Sequence, residues 1–368
     1  MLSPSEEQQI IRDSAARFVR DATASELPKQ RDVAADLWEA MASMGWLALP
    51  LDEVDGGLGG TAADVCALAV ELGRGLMVGS YAMSAVLAGR LVAGAPVGPR
   101  RTAVLREILA GSRTLAVADA DAHGRGGSAA TVMTARGDSR GWILDGTRTN
   151  IWATEQTRTL LVAATADEHR EMLMTVPLDT PGIAVREFRT IDAGRALECI
   201  FTSVVVPASQ VLAPASAQVR ELRGCAWDWA SLVTVAECVG MMKALIARTA
   251  EYLQSRKQFG RPLAQFQVLR HRMADMALLA RRAEVLADRV ASQFATFDSL
   301  ERPRMVAAAC VKGLGGAHFV AEQAVQLHGG MGTTAELPVG RYLRRCVALE
   351  ATFGSPDYHR VRFGESAA

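Results

Sequence analysis

The spacing of apolar residues changes twice along this chain, and the two changes constrain its fold more than any single motif. Up to about residue 110 the apolar residues recur at helical intervals, with Ala and Leu dominant. From about Arg113 to Ala213 the pattern breaks into short β-branched or apolar runs divided by Gly, Asp and Pro, among them TLAVADAD, TVMTARG, GWILDG, TLLVAAT, MLMTVPL, GIAVREF and TSVVVPA. From about Leu222 helical spacing returns in four long stretches, roughly 222–254, 264–294, 302–327 and 337–352. Helices, then strands, then helices predict an α+β chain that is mainly α. The expected domains are an N-terminal helical domain over 1–112, a middle antiparallel β-barrel domain over 113–215, and a C-terminal four-helix bundle over 216–368. Within this frame Ser3-x-x-Glu6 fits a capping box, and Asp145-Gly146 and Pro181-Gly182 read as hairpin turns. A Gly-rich loop, Asp55 to Gly60, interrupts the first helices.

The 368 residues leave room for two or three well-filled cores. Lys+Arg and Asp+Glu balance at 40 each, so there is no electrostatic reason to expect nucleic acid or a membrane surface as partner. The start, MLSPSEEQQI, lacks the basic-then-apolar order of a signal peptide, and no uninterrupted apolar run approaches membrane-spanning length. Six Cys, at 66, 199, 225, 238, 310 and 346, are scattered without a Cys-x-x-Cys pair. They read as buried thiols, which predicts a reducing, cytoplasmic setting and no metal site.

One stretch exceeds what its place in the fold demands. SRKQFGRPLAQFQVLRHRMADM, Ser255 to Met276, lies between two helices, where a short turn with one Gly would suffice. Gly260 allows a sharp reversal and Phe259 an apolar anchor. Arg256 is open to two readings: a bidentate donor to an anion, or a solvated cation near helix-end carbonyls. Further on, Gln326-Leu-His-Gly-Gly-Met-Gly332 places two residues without Cβ atoms side by side. Gly329-Gly330 can terminate a helix, or let a ligand approach the backbone, or do both.

Arg256-Lys-Gln-Phe-Gly260, with Phe266-Gln267 and Ala274-Asp275-Met276 behind it, resembles a C-terminal signature of the acyl-CoA dehydrogenase family. Gln326–Gly332, leading to Glu336-Leu-Pro-Val339 and Arg341, resembles that family's Q-x-x-G-G-x-G block. MGWLALPLDEVDGGLGG and the Thr202–Pro207 strand end are similar to further landmarks, and the resemblance spans nearly the whole chain. It implies a flavoprotein that desaturates an acyl-CoA, or a carrier-bound acyl group, between Cα and Cβ, with FAD as hydride acceptor. It also implies an electron-acceptor protein as partner and a dimer or tetramer, built from copies of this chain or with a homologous one. In the family this turn reaches the FAD of the neighbouring protomer, so Arg256 is assigned to its pyrophosphate. Gln258, Phe259, Phe266 and Gln267 go with Arg256, and Gln326, Gly329, Gly330 and Ser355 form the other half.

The family's reaction needs a carboxylate to remove the α-proton. Where most members have Tyr-Glu-Gly-Thr, this chain reads Thr352-Phe353-Gly354-Ser355, so Phe353 takes the place of the base. The other location used by relatives, on the first bundle helix, falls on Ala230. Asp228 lies roughly 200° round that helix from Ala230, while Glu237 shares its face but sits about 10 Å along the axis. Glu237 and Glu350, the latter three residues before Phe353, remain as candidates. Two further departures fall where the family meets the flavin ring: Ala118-Asp-Ala-Asp-Ala-His-Gly124 and Asn150-Ile151-Trp152. Three functions are compatible with this pattern: a dehydrogenase with a displaced base, a non-catalytic subunit that completes a neighbour's FAD site, or another flavin reaction on the same fold.

Overall fold

The computed structural model describes residues 5–23, 35–77, 81–119, 133–139, 141–167, 170–334 and 336–365. The chain forms two compact units, one from Met1–Arg31, Thr61–Val78 and Ser231–Ala368, the other from Asp32–Gly60 and Gly79–Ala230.

The first unit is helical. Helix α1 (Glu6–Ala22) buries Ala15 and Val19. A capping box forms at Ser5–Gln8: the Gln8 amide donates to Ser5 Oγ at 3.1 Å, and the Ser5 amide to Gln8 Oε1 at 3.2 Å. The expected Ser3–Glu6 box falls on Ser3, which lies outside the described residues. Helix α3 (Ala62–Arg74) opens with a second box, Thr61–Asp64. The later helices are α6 (Ala217–Ser255), of which the part from Ser231 belongs here, α7 (Gln267–Gln293), α8 (Glu301–His328), α9 (Val339–Phe353) and α10 (Pro356–Glu365).

The bundle is larger than four helices, because α1, α3 and α10 share the unit with α6–α9. Helices α3 and α6 touch backbone to backbone: a Cβ on Gly73 would strike the Glu237 carbonyl, and one on Gly240 the Val70 carbonyl. Tyr342 of α9 completes the joint by donating its hydroxyl to the Arg74 carbonyl at 2.5 Å. Helix α6 is, by length and composition, long and apolar enough to cross a membrane. Asp228 and Glu237 break the run without breaking the helix, and most of the apolar window is buried inside the protein, which makes α6 a core helix.

The second unit holds α2 (Ala35–Ser43), a π-helical segment Tyr81–Ala88, α4 (Gly89–Ala93), α5 (Pro99–Leu109) and an eight-stranded sheet. The strands are β1 (Leu115–Ala118), β2 (Thr134–Asp138), β3 (Gly141–Ala153), β4 (Thr159–Asp167), β5 (Arg170–Pro177), β6 (Ile183–Arg189), β7 (Arg195–Val206) and β8 (Val211–Ser216). Their order, β6-β7-β3-β2-β4-β5-β8 with β1 beside β4, corrects the antiparallel barrel. The sheet is mixed, because β1 and β2 both run parallel to β4, and among the described residues no pairing joins β6 to β8. Alternation along a strand records which face is buried but not which neighbour it pairs with, so closure and direction were not legible from the runs. One face packs Leu144, Leu160, Val162, Met174, Leu197 and Phe201 into the core.

Neither expected hairpin is one. Asp145-Gly146 lies inside β3 at a register shift against β7, where Gly146 has φ 145°. Asp145 Oδ1 accepts from the Ser203 amide at 2.7 Å, supplying the partner that the bulge denies it. Pro181-Gly182 does turn the chain, with Gly182 at φ 96°, but it links β5 to β6, which are not neighbours in the sheet.

Candidate functional site

Helix α6 ends in a turn tied at both sides. The Arg256 amide donates to the Tyr252 carbonyl at 2.9 Å, and the Arg256 carbonyl accepts from the Leu263 amide at 2.9 Å. Between them Lys257–Gln258 and Arg261–Pro262 pair as a two-rung antiparallel ladder with Gln258 opposite Arg261. The loop residues Phe259 and Gly260 both have positive φ, 53° and 76°, which suits a two-residue hairpin and is strained for a bulky side chain. Phe259 is also 89% exposed. An aromatic ring in a strained and solvated position makes little sense for stability. Phe266 sits behind it, edge-to-face with Phe259 at 6.1 Å and with the Arg261 guanidinium 4.1 Å over its ring. Arg256, Gln258 and Gln267 are exposed beside them.

The second motif stands at the end of α8. Gln326 is exposed in the last turn, and its carbonyl accepts from the Gly329 amide. Gly329, at φ 59°, therefore terminates the helix, and the chain continues as a single 3₁₀ segment, Gly329–Thr333. A Cβ at Gly329 or Gly330 would meet nothing within 4 Å, so both positions border open space. Gly332 differs: a Cβ there would lie 2.5 Å from the Val325 carbonyl and 3.1 Å from His328 Cβ. That glycine allows the segment to fold back on His328.

The structure brings these two motifs together. Tyr252, one turn before Arg256, stacks on His328 with ring centroids 4.3 Å apart and planes 28° from parallel. Its hydroxyl also donates to the His328 carbonyl at 3.3 Å. His328 is 4% exposed and its Nδ1 lies 2.7 Å from the Ala324 carbonyl, which requires the proton on Nδ1. Burial lowers its pKa, so the ring is neutral at neutral pH. Neither residue was a candidate in the sequence; a His flanking two glycines and a Tyr four residues before Arg256 were the available signals.

The remaining candidates lie on α9 or pack along it. Phe353, its last residue, is 2% exposed. Its carbonyl accepts from His359 Nε2 at 2.8 Å, and burial pushes the His359 pKa down to about 4. Ser355 caps α10, its hydroxyl accepting from the Tyr358 amide at 3.2 Å. Glu350 lies 2.9 Å from His318 Nδ1. Glu237 is fully buried, and Arg345 takes both of its oxygens, at 2.5 and 3.0 Å. A carboxylate so held is an internal ion pair, its charge compensated by the guanidinium and shielded from solvent.

Of the departures near the ring, Ala120 to Gly124 lie outside the described residues. Asp119, just before them, is buried and ion-paired to Arg223 at 2.5 Å, and it accepts from Trp227 Nε1 at 2.7 Å. Asn150 has φ 54°, and Ile151 and Trp152 pair with Leu197 and Ala196 in the sheet. Among the described residues no His, Cys, Asp and Glu cluster has the makings of a metal site.

Comparison with known proteins bears on what such a site holds. Family models for the N-terminal and C-terminal domains of acyl-CoA dehydrogenases match residues 5–97 and 226–367. The benzylmalonyl-CoA dehydrogenase of Aromatoleum aromaticum is 27% identical over 353 residues, covering 92% of each chain. Among solved structures, the ChsE4–ChsE5 complex from Mycobacterium tuberculosis contains a chain similar to this one at TM-score 0.87 and 24% identity, over 99% of this chain and 98% of that one. The FAD complex of PigA matches at TM-score 0.88 and 21% identity, over 100% and 99%.

Proposed function

Because this chain belongs to the acyl-CoA dehydrogenase family, we propose that it takes part in FAD-dependent α,β-desaturation of an acyl-CoA thioester, and that its own residues form the phosphate end of the cofactor site. The observation that carries the assignment is the junction of Tyr252 with His328, which sets the Arg256 turn beside Gly329-Gly330. The pair fits a pyrophosphate: an exposed, planar guanidinium donates bidentately, and an anion can approach a backbone that carries no Cβ. Bound FAD would supply the acceptor for the hydrogen that leaves the β-carbon as hydride. Gln326 and Gln258 are exposed on the two halves and can donate amide N–H groups. Phe259, presented outward, suits contact with a neighbouring protomer, so the working unit is a dimer or larger. Ser355 is assigned to capping first, and to the cofactor only through its remaining donor capacity.

None of the three positions considered for the base offers an uncommitted carboxylate. Phe353 cannot accept a proton, Glu237 is committed to Arg345, and Glu350 is engaged by His318. This supports a second reading, in which the chain is a subunit of a heteromeric dehydrogenase and lends its turn to a homologous chain that carries the base. The electron-acceptor protein and the cytoplasmic setting belong to the same proposal. So do the domain bounds 1–112, 113–215 and 216–368; the family-model matches fall inside the first and third.

Arg256→Ala tests the site. Loss of one charge-assisted contact costs about 1.5–3 kcal/mol, so FAD retention through dialysis should fall by roughly tenfold to a hundredfold. Arg256→Lys should recover part, since an ammonium lacks the fork. An Ala variant that holds its flavin as the parent does would remove Arg256 from the site.

A further inference from the structure

We propose that Tyr252 and His328 are positioning residues whose ring stack holds the two halves of the phosphate cradle at a fixed separation and thereby sets how tightly a pyrophosphate is bound. The inference rests on the flavin reading above. Arg256 follows Tyr252 by one helical turn and Gly329 follows His328 directly, so the stack joins the last ordered turn of α6 to the last of α8. A shift of either ring moves one half of the cradle against the other.

Each ring is held from a second side. The Tyr252 hydroxyl is spent on the His328 carbonyl, the carbonyl that immediately precedes the Gly329 amide. The His328 Nδ1–H is spent on the Ala324 carbonyl one turn back. Gly332 admits the returning 3₁₀ segment against His328 Cβ, a place no side chain could share. His328 thus sits between a flat aromatic partner and its own chain, 4% exposed. Neither ring has a polar hydrogen left for a phosphate beyond those already used, since neutral His328 carries only its Nδ1 proton. They act through Arg256 and the glycines.

Tight binding of an extended anion depends on prior placement of its donors, because ordering them on binding subtracts from affinity. The test uses the purified protein in its native assembly, with FAD and ADP as separate probes of equilibrium binding. Tyr252→Leu and His328→Leu, which remove the flat stack, should each weaken both probes by about tenfold. His328→Phe, which keeps a flat ring, should stay within about threefold of the parent. In an Arg256→Ala background Tyr252→Leu should cost little more, because the half it places has lost its donor. Leu variants with a lowered melting temperature but parental FAD and ADP affinities would overturn the proposal, and so would a Tyr252→Leu loss that persists in full beside Arg256→Ala. A parent that binds neither probe would overturn the flavin reading itself; a parent that binds them while the Leu variants bind equally well would overturn only the positioning role.

Discussion

Two substitutions separate scaffold from chemistry among individual residues. Glu237 and Arg345 form a bidentate pair with almost no exposure on either side. Removing one partner of such a pair strands the other charge in the interior, at a cost of about 3–5 kcal/mol. Glu237→Gln should therefore lower the chemical-denaturation midpoint sharply, while the specific activity of the folded fraction, measured in the full assembly, stays at the parental level. A collapse of turnover at unchanged stability would make Glu237 the base. Phe353→Glu asks the converse question. The site is 2% exposed, so replacing the ring should destabilise by about 3 kcal/mol. If the thioester reaches the α9 terminus, the new carboxylate should raise acyl-CoA-dependent dye reduction above the parent. A loss of stability without that gain would identify Phe353 as a plug in a closed pocket.

The joint between α9 and α10 carries a titratable contact. His359 holds the Phe353 carbonyl through Nε2, and burial depresses its pKa to about 4 from the usual 6.5. The unfolded chain therefore binds this proton more readily than the folded one. Stability from the group is complete above about pH 6.5 and declines as pH falls toward 4, by roughly 3 kcal/mol in all. His359→Gln retains an N–H for the carbonyl without a group that titrates in this range. Its urea midpoint should fall less than the parent's between pH 7 and pH 4.5; parallel curves would show that His359 is not the source. Helix packing makes a second demand at this scale. Gly240→Ala places a methyl group on the Val70 carbonyl, a rigid backbone atom, and should lower the melting temperature by several degrees, although Ala is the better helix former.

For the whole molecule the expectation concerns assembly. The turn that carries Arg256 and the 89%-exposed Phe259 points outward, and the Glu237 carboxylate is engaged by Arg345. The isolated chain should turn over simple acyl-CoAs slowly or not at all. Mixing it with a homologous chain that has an intact base should restore activity and raise bound flavin per chain. High turnover by the isolated chain, persisting in the Glu237→Gln and Glu350→Gln variants, would refute the missing base.

Much of this was legible in the chain itself. The change of apolar period marks where helices give way to strands, because a buried face must repeat with the geometry of its own element. The RKQFG turn and the Gly-rich block announce themselves by residue types that a plain turn or helix end does not need. Pairing was not legible. The parallel placement of β1 and β2 beside β4, the bulge at Asp145-Gly146 and the packing of α3 on α6 through Gly73 and Gly240 each depend on which distant surface arrives, and a local pattern carries no label for its partner. The same holds at the site. Sequence separates Tyr252 from His328 by 76 positions, and Glu237 from Arg345 by 108. Only the folded bundle stacks the first pair ring on ring and makes the second an internal ion pair, because contact between helices is decided by the summed packing of their faces and not by any residue alone.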